Sequence, residues 1–377
     1  MVMEHIDEIT EVFYPRMFDH NSEMLFYFNE ANQRNHMQQK AIARAVMVWA
    51  KHLHEPDKFK GLLDVISHRH VALYVTQDLY SIIYDNFMHS MTQVLGGNFT
   101  SDMVTAWSDA FIWLCKMCIE NEAALAKAYE KRQGGWAGER KFKLVGKRKI
   151  AETTIQFDFS PVDLLPWHQN AEDGGIYFDP GQYLTIRIPG TGLSPRHYTV
   201  TSLPGQNVLQ CVSRLVPNGA VSSYMHEEFL IGDRCLLTVP CGLFTPYPKS
   251  DMVMISAGIG ITPIYAFLNT VERKYIKGIL HFDQSAERMA FRDAIEGATD
   301  LDTKIIFTGD ERFAEQKDIE TETNVLAIRA GIDADYYVCG PLPFMDVVKK
   351  TLQSHGIKNV FCHHFGTGTE PMCPFRR

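Results

Sequence analysis

The stretch Arg196-His197-Tyr198-Thr199-Val200-Thr201-Ser202 is the most informative part of this 377-residue chain. It follows residues 183–188, whose apolar side chains alternate with polar ones, and this period of two predicts a half-buried strand. An arginine can pair with a phosphate through two parallel hydrogen bonds. A tyrosine can stack on a flat ring system, and a threonine can bond a ring nitrogen. Arg196, Tyr198 and Thr199 are therefore the side chain types that a flavin needs.

Two later motifs narrow this interpretation. Residues 251–257 have the pattern of an apolar strand that runs into Gly258-Ile259-Gly260-Ile261-Thr262-Pro263 and then into a helical pattern. Residues 336–341 form a second short strand that ends in Cys-Gly-Pro. The order Arg-x-Tyr-Thr, Gly-x-Gly-x-Thr-Pro, Cys-Gly-Pro is that of the ferredoxin-reductase-like flavin enzymes. From about Lys141 onwards the chain resembles that family, which implies FAD and NAD(P)H as cofactors.

The overall composition excludes several classes of function. The net charge is −8, so no nucleic acid or other polyanion is expected as a partner. The apolar runs are too short to predict a transmembrane segment, and the acidic start, Met1–Glu8, predicts neither a secretory signal nor a transit peptide. Eight scattered cysteines therefore predict reduced thiols in a cytoplasmic protein. Cys115 and Cys118 lie in a helical pattern without a second ligand pair and are interpreted as core residues.

Three units follow one another, which predicts a multi-domain fold. Residues 1–133 have a wholly helical pattern. Residues 134–247 contain short alternating stretches separated by turns, as in a small antiparallel β-barrel, here the FAD-binding domain. Residues 248–377 repeat strand, glycine turn and helix, as in an α/β domain with a parallel sheet, here the NAD(P)-binding domain. The barrel strands are predicted at residues 153–159, 183–188, 208–216 and 235–239.

A second stretch with the pattern of a phosphate-binding loop lies in the barrel. Residues 217–223 end a strand and precede a helix predicted over residues 224–229. Small residues there let backbone N–H groups approach a pyrophosphate, and a helix dipole favours negative charge; an ordinary loop before a helix is the alternative. The residues expected at the pyrophosphate are Gly219, Ala220, Val221 and Ser222. In the resembled family Gln182 and Tyr183 also line the flavin.

The nucleotide-binding half contains three candidate cofactor contacts, which are a glycine turn, a cysteine and an aromatic residue. Gly258, Gly260 and Thr262 are expected to contact the nicotinamide nucleotide, with Pro263 at the first helical position. In the family a cysteine at the position of Cys339 lies near the nicotinamide C4, and the alternative is a buried small apolar residue. Phe365 matches an aromatic that covers the flavin. Two residues earlier the family's flavohaemoglobin branch usually has a glutamate, where this chain has His363.

The helical unit resembles a bacterial-type globin in residues 13–18, 26–35 and 68–70. A globin fused to this reductase is a flavohaemoglobin, so the resemblance covers nearly the whole chain and implies an all-α globin domain with haem b. Leu63, Ile66 and His70 share one helix face, whereas His68 faces elsewhere. Such a histidine is usually a satisfied core residue, but the resemblance makes His70 the expected proximal ligand of the haem iron.

A carboxylate lies where only apolar side chains are expected. Glu122 continues a helical stripe formed by Trp107, Phe111, Leu114 and Cys118, and a buried carboxylate is costly unless it is paired. In the resembled family a glutamate and a tyrosine, matched by Glu122 and Tyr80, bond the free ring nitrogen of the proximal histidine. This contact makes the histidine more electron-donating. The alternative is a helix that ends near Glu122 and leaves the carboxylate in water.

On the distal side Tyr14, Gln38 and Ile42 match the family's pocket, and Phe28 matches the ring that packs on the haem. The Tyr14 hydroxyl is expected to donate a hydrogen bond to bound oxygen; plain core aromatics are the alternative for Tyr14 and Phe28. Pro15 follows Tyr14, and a residue before proline avoids the helical region. Few residues precede Tyr14, so the first globin helix is expected to be short or missing, or the gene model truncated.

The resemblance implies a monomeric nitric oxide dioxygenase. NAD(P)H reduces FAD, FAD reduces the haem, and the oxygenated haem converts nitric oxide to nitrate, with nitric oxide and O2 as substrates. One alternative is a haem-free NAD(P)H flavin reductase whose helical domain binds a partner, and another is a haem-based gas sensor. The sequence does not distinguish NADH from NADPH. Arg288 or Arg292 could meet a 2′-phosphate, but such arginines are usually solvated.

Overall fold

The computed structural model describes residues 1–27, 45–163, 175–247, 249–309 and 314–365. These parts form a helical domain, an antiparallel barrel and a parallel sheet covered by helices, in that order. The predicted fold class is confirmed. The predicted boundaries at 133/134 and 247/248 fall in the connections between these units. Within the described ranges, no helix combines the length and apolar character that crossing a membrane demands.

The described part of the helical domain contains four long helices. A 3-10 turn, Val2–Glu4, precedes the first of them, and a further helical segment at residues 45–51 follows the 3-10 turn Ser22–Tyr27. The helices are α1, Ile6–His20; α2, Pro56–Leu73; α3, Gln77–Leu95; and α4, Ser101–Glu130. Buried side chains of α1, α3 and α4 share one apolar cluster, so α2, which carries His70, packs against the other side of α4.

Pro15 does not interrupt α1, contrary to the prediction. Tyr14 lies inside the helix and is only 3% exposed. Ile9, Phe13 and Met17 on the same helix have no exposed surface, and burying each contributes about 1.5–3 kcal/mol. Together they outweigh the cost of a proline in a helix interior, about 3 kcal/mol. Tertiary packing therefore decides the local structure here.

The barrel has six antiparallel strands in the order β4-β3-β6-β1-β2-β5. They are β1, Glu139–Ala151; β2, Thr154–Pro161; β3, Tyr183–Arg187; β4, Arg196–Thr199; β5, Leu209–Arg214; and β6, Arg234–Thr238. A bridge between Val200 and Cys211 joins the two edge strands. The four predicted strands are confirmed, but the longest strand, β1, was missed. Helix α5, Ala220–Glu227, starts four residues before its predicted position.

The last unit is a five-stranded parallel sheet in the order β11-β10-β7-β8-β9. Its strands are β7, Met252–Ala257; β8, Ile276–Asp283; β9, Thr303–Phe307; β10, Asp335–Cys339; and β11, Val360–His363. Its helices are α6, Ile261–Leu268; α7, Arg292–Glu296; α8, Gln316–Ala330; and α9, Leu342–Ser354. Pro263 is the third residue of α6, not the first, but its missing N–H still falls in the unbonded first turn.

The core of the barrel continues into the helical domain. Ala72, near the end of α2, has no exposed surface and belongs to the barrel's apolar cluster, together with Tyr129 of α4. Val71 and Leu125 pack against the same cluster. The two domains therefore share apolar surface that neither could bury alone.

His197 of β4 lies at this shared surface, with its Nδ1 2.8 Å from Thr185 Oγ1. Burial lowers the pKa of His197 to about 3, and the positive Arg69, the ring of His363 and the positive Arg196 act in the same direction. The imidazole is therefore neutral in the folded protein near neutral pH.

We expect this histidine to make the protein less stable in acid. The pKa of this histidine in the unfolded chain is about 6.5. Below that pH the imidazole is therefore protonated in the unfolded state but stays neutral in the folded state. The free energy of unfolding should fall by roughly 1–2 kcal/mol from pH 7 to pH 5 on account of this one group. In His197→Asn, which keeps a donor but does not titrate, urea unfolding at both pH values should show a smaller loss. An equal loss in both proteins would contradict the assignment.

Candidate haem, flavin and nucleotide sites

His70 lines a cavity of about 290 Å³ in the helical domain. Ile66, one turn earlier on α2, lines the same cavity and Leu63 is buried, as their shared face predicted. The His70 Nδ1 lies 2.7 Å from Glu122 Oε1 and 3.0 Å from the Tyr80 hydroxyl. Nε2 is therefore the ring nitrogen left for a ligand in the cavity.

Glu122 and Tyr80 form the second layer behind this imidazole. Glu122 is 8% exposed and lies inside α4, eight residues before its end at Glu130, so the solvated alternative is wrong. The Tyr80 hydroxyl donates a very short hydrogen bond to Glu122 Oε1. Burial, with the nearby Cys118 and the Glu122 carboxylate, raises the pKa of Tyr80 well above its usual value. The phenol keeps its proton, and the carboxylate accepts from both neighbours.

Tyr14 lines the same cavity as His70. Burial raises the pKa of Tyr14 well above its usual value, so this hydroxyl also keeps its proton. Phe28, Gln38 and Ile42, the other residues predicted on the distal side, lie outside the described residues.

This donor set fits a haem iron. An imidazole whose Nδ1 is held by a carboxylate, and whose Nε2 faces an apolar cavity, is the axial donor that haem proteins use. Aliphatic and aromatic side chains dominate the walls, and Cys115 and Cys118 contribute protonated thiols because burial raises the pKa of each. The prediction that these two cysteines are core residues agrees with this packing.

The predicted flavin residues lie together on β3, β4 and α5. Thr199 is 3% exposed, and its Oγ1 has no hydrogen-bond partner within the described ranges. An orphaned buried hydroxyl is costly, and a flavin ring nitrogen would satisfy it. The Tyr198 hydroxyl donates to Met225 Sδ at 3.0 Å, which places the ring against α5. The Arg196 guanidinium lies 2.7 Å from Ser194 Oγ.

Two predicted flavin contacts have other roles in the structure. The Gln182 amide donates to the Tyr129 hydroxyl at 3.2 Å and to the Gly242 carbonyl at 3.3 Å, so it links α4 to the barrel. The Tyr183 ring stacks on His363, with ring centroids 5.6 Å apart. That stack accounts for an imidazole where the family usually has a carboxylate, because a ring fills the space between Tyr183 and Phe244.

The predicted pyrophosphate loop is the start of a helix. Gly219 caps α5, and Ala220, Val221 and Ser222 form its first turn rather than a preceding loop. The Ser222 Oγ accepts a hydrogen bond from the Val216 N–H at 3.1 Å, while Val221 is buried in the barrel core. Backbone N–H groups of a first helical turn are suited to a phosphate, so the predicted contact between this backbone and a pyrophosphate stays a prediction.

A second cavity, of about 810 Å³, opens at the carboxyl edge of the parallel sheet. Gly258, Gly260 and Phe365 line it, as predicted for a nucleotide. Thr262 does not, because its hydroxyl donates to the Ile259 carbonyl at 3.1 Å. Gly260 also has a packing role, since a Cβ there would collide with the Cys339 carbonyl.

Cys339 has no exposed surface and lies in the core beneath this edge. The alternative reading, a buried small apolar residue, therefore describes it better than contact with a nicotinamide. Arg288 and Arg292 do not line the cavity and pair with Glu152 and Glu296, respectively. This agrees with the interpretation of both arginines as solvated surface charges.

An ion pair that the sequence did not predict joins the barrel to the sheet. Arg214, at the end of β5, binds both carboxylate oxygens of Asp283, at the end of β8, at 2.7 and 3.3 Å. Burial alone would raise the pKa of Asp283, but the nearby His281 ring, 3.6 Å away, and the Arg214 guanidinium outweigh it and lower the pKa to about 2. The only sequence feature that could have indicated this pair is that both residues lie at the ends of strands. The pair sets the sheet against the barrel beside the nucleotide cavity.

Known proteins resemble this chain over nearly its full length. The globin family model matches residues 11–118. The flavohemoprotein of Bordetella pertussis is 32% identical, covering 98% of this chain and 96% of the relative; that of Rhodopirellula baltica is 30% identical, covering 95% and 92%. A crystal structure of flavohemoglobin from Malassezia yamatoensis, with bound FAD and heme, has a TM-score of 0.79 at 25% identity and covers 97% of this chain and 96% of that one. With such identity over both full lengths, the chain belongs to the flavohaemoprotein family.

Proposed function

We propose that this protein is a nitric oxide dioxygenase that uses haem b, FAD and NAD(P)H. The observation that carries the proposal is the His70–Glu122–Tyr80 arrangement at an apolar cavity, on the same chain as a flavin barrel and a nucleotide cavity. When bound, FAD takes a hydride from NAD(P)H and releases electrons singly, and the haem carries O2 to its reaction with nitric oxide. Two nitric oxide, two O2 and one NAD(P)H give two nitrate, one NAD(P)+ and one proton.

The residues around the cavity suit an oxidising reaction better than reversible storage. The Glu122 carboxylate accepts from the His70 Nδ1–H and thereby makes Nε2 a stronger electron donor. Tyr14 keeps its proton in the apolar wall and can stabilise negative charge that develops in the cavity.

All three binding regions lie on one polypeptide, so we propose a monomer that acts in the cytoplasm on nitric oxide and O2. A haem-free reductase would not need a histidine oriented by a buried carboxylate. A sensor whose reductase merely resets the haem would not sustain catalytic turnover of nitric oxide. The deciding experiment is nitric oxide consumption driven by NAD(P)H, with nitrate as the product, in protein loaded with haem and FAD. No consumption in such a sample would overturn the proposal.

Replacing His70 should remove the iron ligand. We expect purified His70→Ala to lack most of the Soret absorbance of the wild type while it retains FAD, because the barrel does not depend on this side chain. His89→Ala, a change of an exposed histidine on α3, is the matched control and should keep its haem. An unchanged Soret band in His70→Ala would refute the assignment.

Removing the carboxylate or the phenol behind His70 should slow turnover without loss of haem. For Glu122→Gln and Tyr80→Phe we expect nitric oxide consumption to fall about 10–100-fold, as for other residues that orient a metal ligand. The iron–histidine stretching frequency should also fall, which resonance Raman spectroscopy would detect. Glu120→Gln, on the exposed face of the same helix, should behave like the wild type.

The Tyr14 hydroxyl should retain oxygen in the cavity. In Tyr14→Phe we expect O2 to leave the reduced protein about 10-fold faster, the equivalent of one neutral hydrogen bond. Tyr84→Phe provides a control, because Tyr84 bonds Ser108 at 2.6 Å in the same domain and does not line the cavity. Stopped-flow measurement of O2 release separates the two, and equal rates would show that Tyr14 has no such role.

A further inference from the structure

The helix that carries His70 is bonded to the barrel at two points, one on each side of that residue. Two positions before it, the His68 Nδ1 lies 3.1 Å from the Gly242 backbone nitrogen. Two positions after it, the Ala72 carbonyl lies 2.5 Å from Thr185 Oγ1. Residues two apart on a helix point about 200° away from each other. His68 and Ala72 therefore face the barrel while His70 faces the cavity.

The direction of the bonds around Thr185 follows from donor counting. A carbonyl only accepts, so the single Thr185 hydroxyl proton goes to Ala72. The His197 Nδ1, 2.8 Å from the same oxygen, must then carry a proton and donate it. The result is a chain from the His197 Nδ1–H to the Thr185 Oγ1–H to the Ala72 carbonyl.

The Ala72 carbonyl needs this partner. It is one of the last four carbonyls of α2, which have no acceptor role inside the helix, and Ala72 itself has no exposed surface. A buried carbonyl without a donor is unfavourable. Thr185 supplies the donor from β3, the strand that leads into the predicted flavin residues Tyr198 and Thr199 through its pairing with β4.

The His68 contact is also directional. The Gly242 N–H is a donor, so the His68 Nδ1 accepts, and the Tyr129 hydroxyl lies 3.0 Å from the same nitrogen. Tyr129 in turn accepts from the Gln182 amide. This contact brings α4 into the same junction, but it does not involve β4.

We propose that Thr185 and His197 are positioning residues that set the geometry for electron transfer from FAD to the haem. The inference rests on the proposed function. Thr185 reaches the His70 helix on one side and His197 of the flavin-binding strand on the other, so it ties the iron ligand to the flavin site by hydrogen bonds. Both residues act through the placement of α2, because the Thr185 hydroxyl bonds the Ala72 carbonyl and the His197 ring directs that hydroxyl.

The test measures the anaerobic reduction of the haem by NADH in full-length protein loaded with FAD and haem. We expect haem reduction to slow about 10-fold in Thr185→Val and in His197→Leu, since a misplacement on the order of 1 Å between positioned groups already slows a reaction strongly. Reduction of the flavin by NADH, measured in the same traces, should not change. Thr185→Ser and His197→Asn keep the donors and should restore the wild-type rate, which a merely structural role would not require.

Thr154→Val is the matched control. Thr154 is a buried barrel threonine on β2 whose hydroxyl has no partner within the described ranges, so its haem reduction should stay at the wild-type rate. Hydrogen exchange gives a readout independent of activity: backbone amides of residues 70–75 should exchange faster in Thr185→Val than in Thr154→Val.

The outcomes separate the two proposals. Equal haem reduction and equal exchange in Thr185→Val and the wild type would overturn the positioning role, even if nitric oxide is consumed. Should Thr185→Val fail to fold, the comparison of His197→Leu with His197→Asn decides in the same way. Normal haem reduction in the wild type without nitric oxide consumption would overturn the dioxygenase proposal and leave the positioning role intact.

Discussion

The hydrogen bond between the His70 Nδ1 and Glu122 is the interaction on which the helical domain's chemistry depends. Without it the imidazole could rotate and either nitrogen could face the cavity. The carboxylate is buried, so it requires donors, and Tyr80 supplies the second one. Three residues from three helices thus satisfy one another. Glu122 lies in the second half of α4, a helix of 30 residues.

Much of this molecule was predictable from local pattern. The alternation in residues 183–188 and the glycine turn at residues 258–260 correspond to β3 and to the start of α6. The shared face of Ile66 and His70 appears as predicted, because helical spacing alone places these side chains together. The prediction that Glu122 bonds the proximal histidine relied on a resemblance. An apolar stripe along a helix shows that a carboxylate within it is buried, but it does not show which group the carboxylate contacts.

The rest depended on contacts between distant segments, which no local pattern contains. Tyr14, the residue before Pro15, was expected to avoid the helical conformation, yet the buried face of α1 outweighs the cost of the proline. Gln182 was expected beside the flavin, and its amide instead bonds Tyr129 from another domain. Cys339 lies in the expected motif, but the packing of the parallel sheet covers its side chain. The Arg214–Asp283 pair joins residues 69 positions apart.

The shared apolar cluster around Ala72 has a consequence for how such a protein could be divided. The core of the barrel is completed by Ala72, Val71, Leu125 and Tyr129. Separating the helical domain from the barrel by a cut between Glu130 and Glu139 would therefore expose apolar surface on both pieces. Each piece would tend to aggregate or to recapture the other. The connection between the two units therefore keeps a shared apolar core closed, in addition to keeping an electron donor near its acceptor.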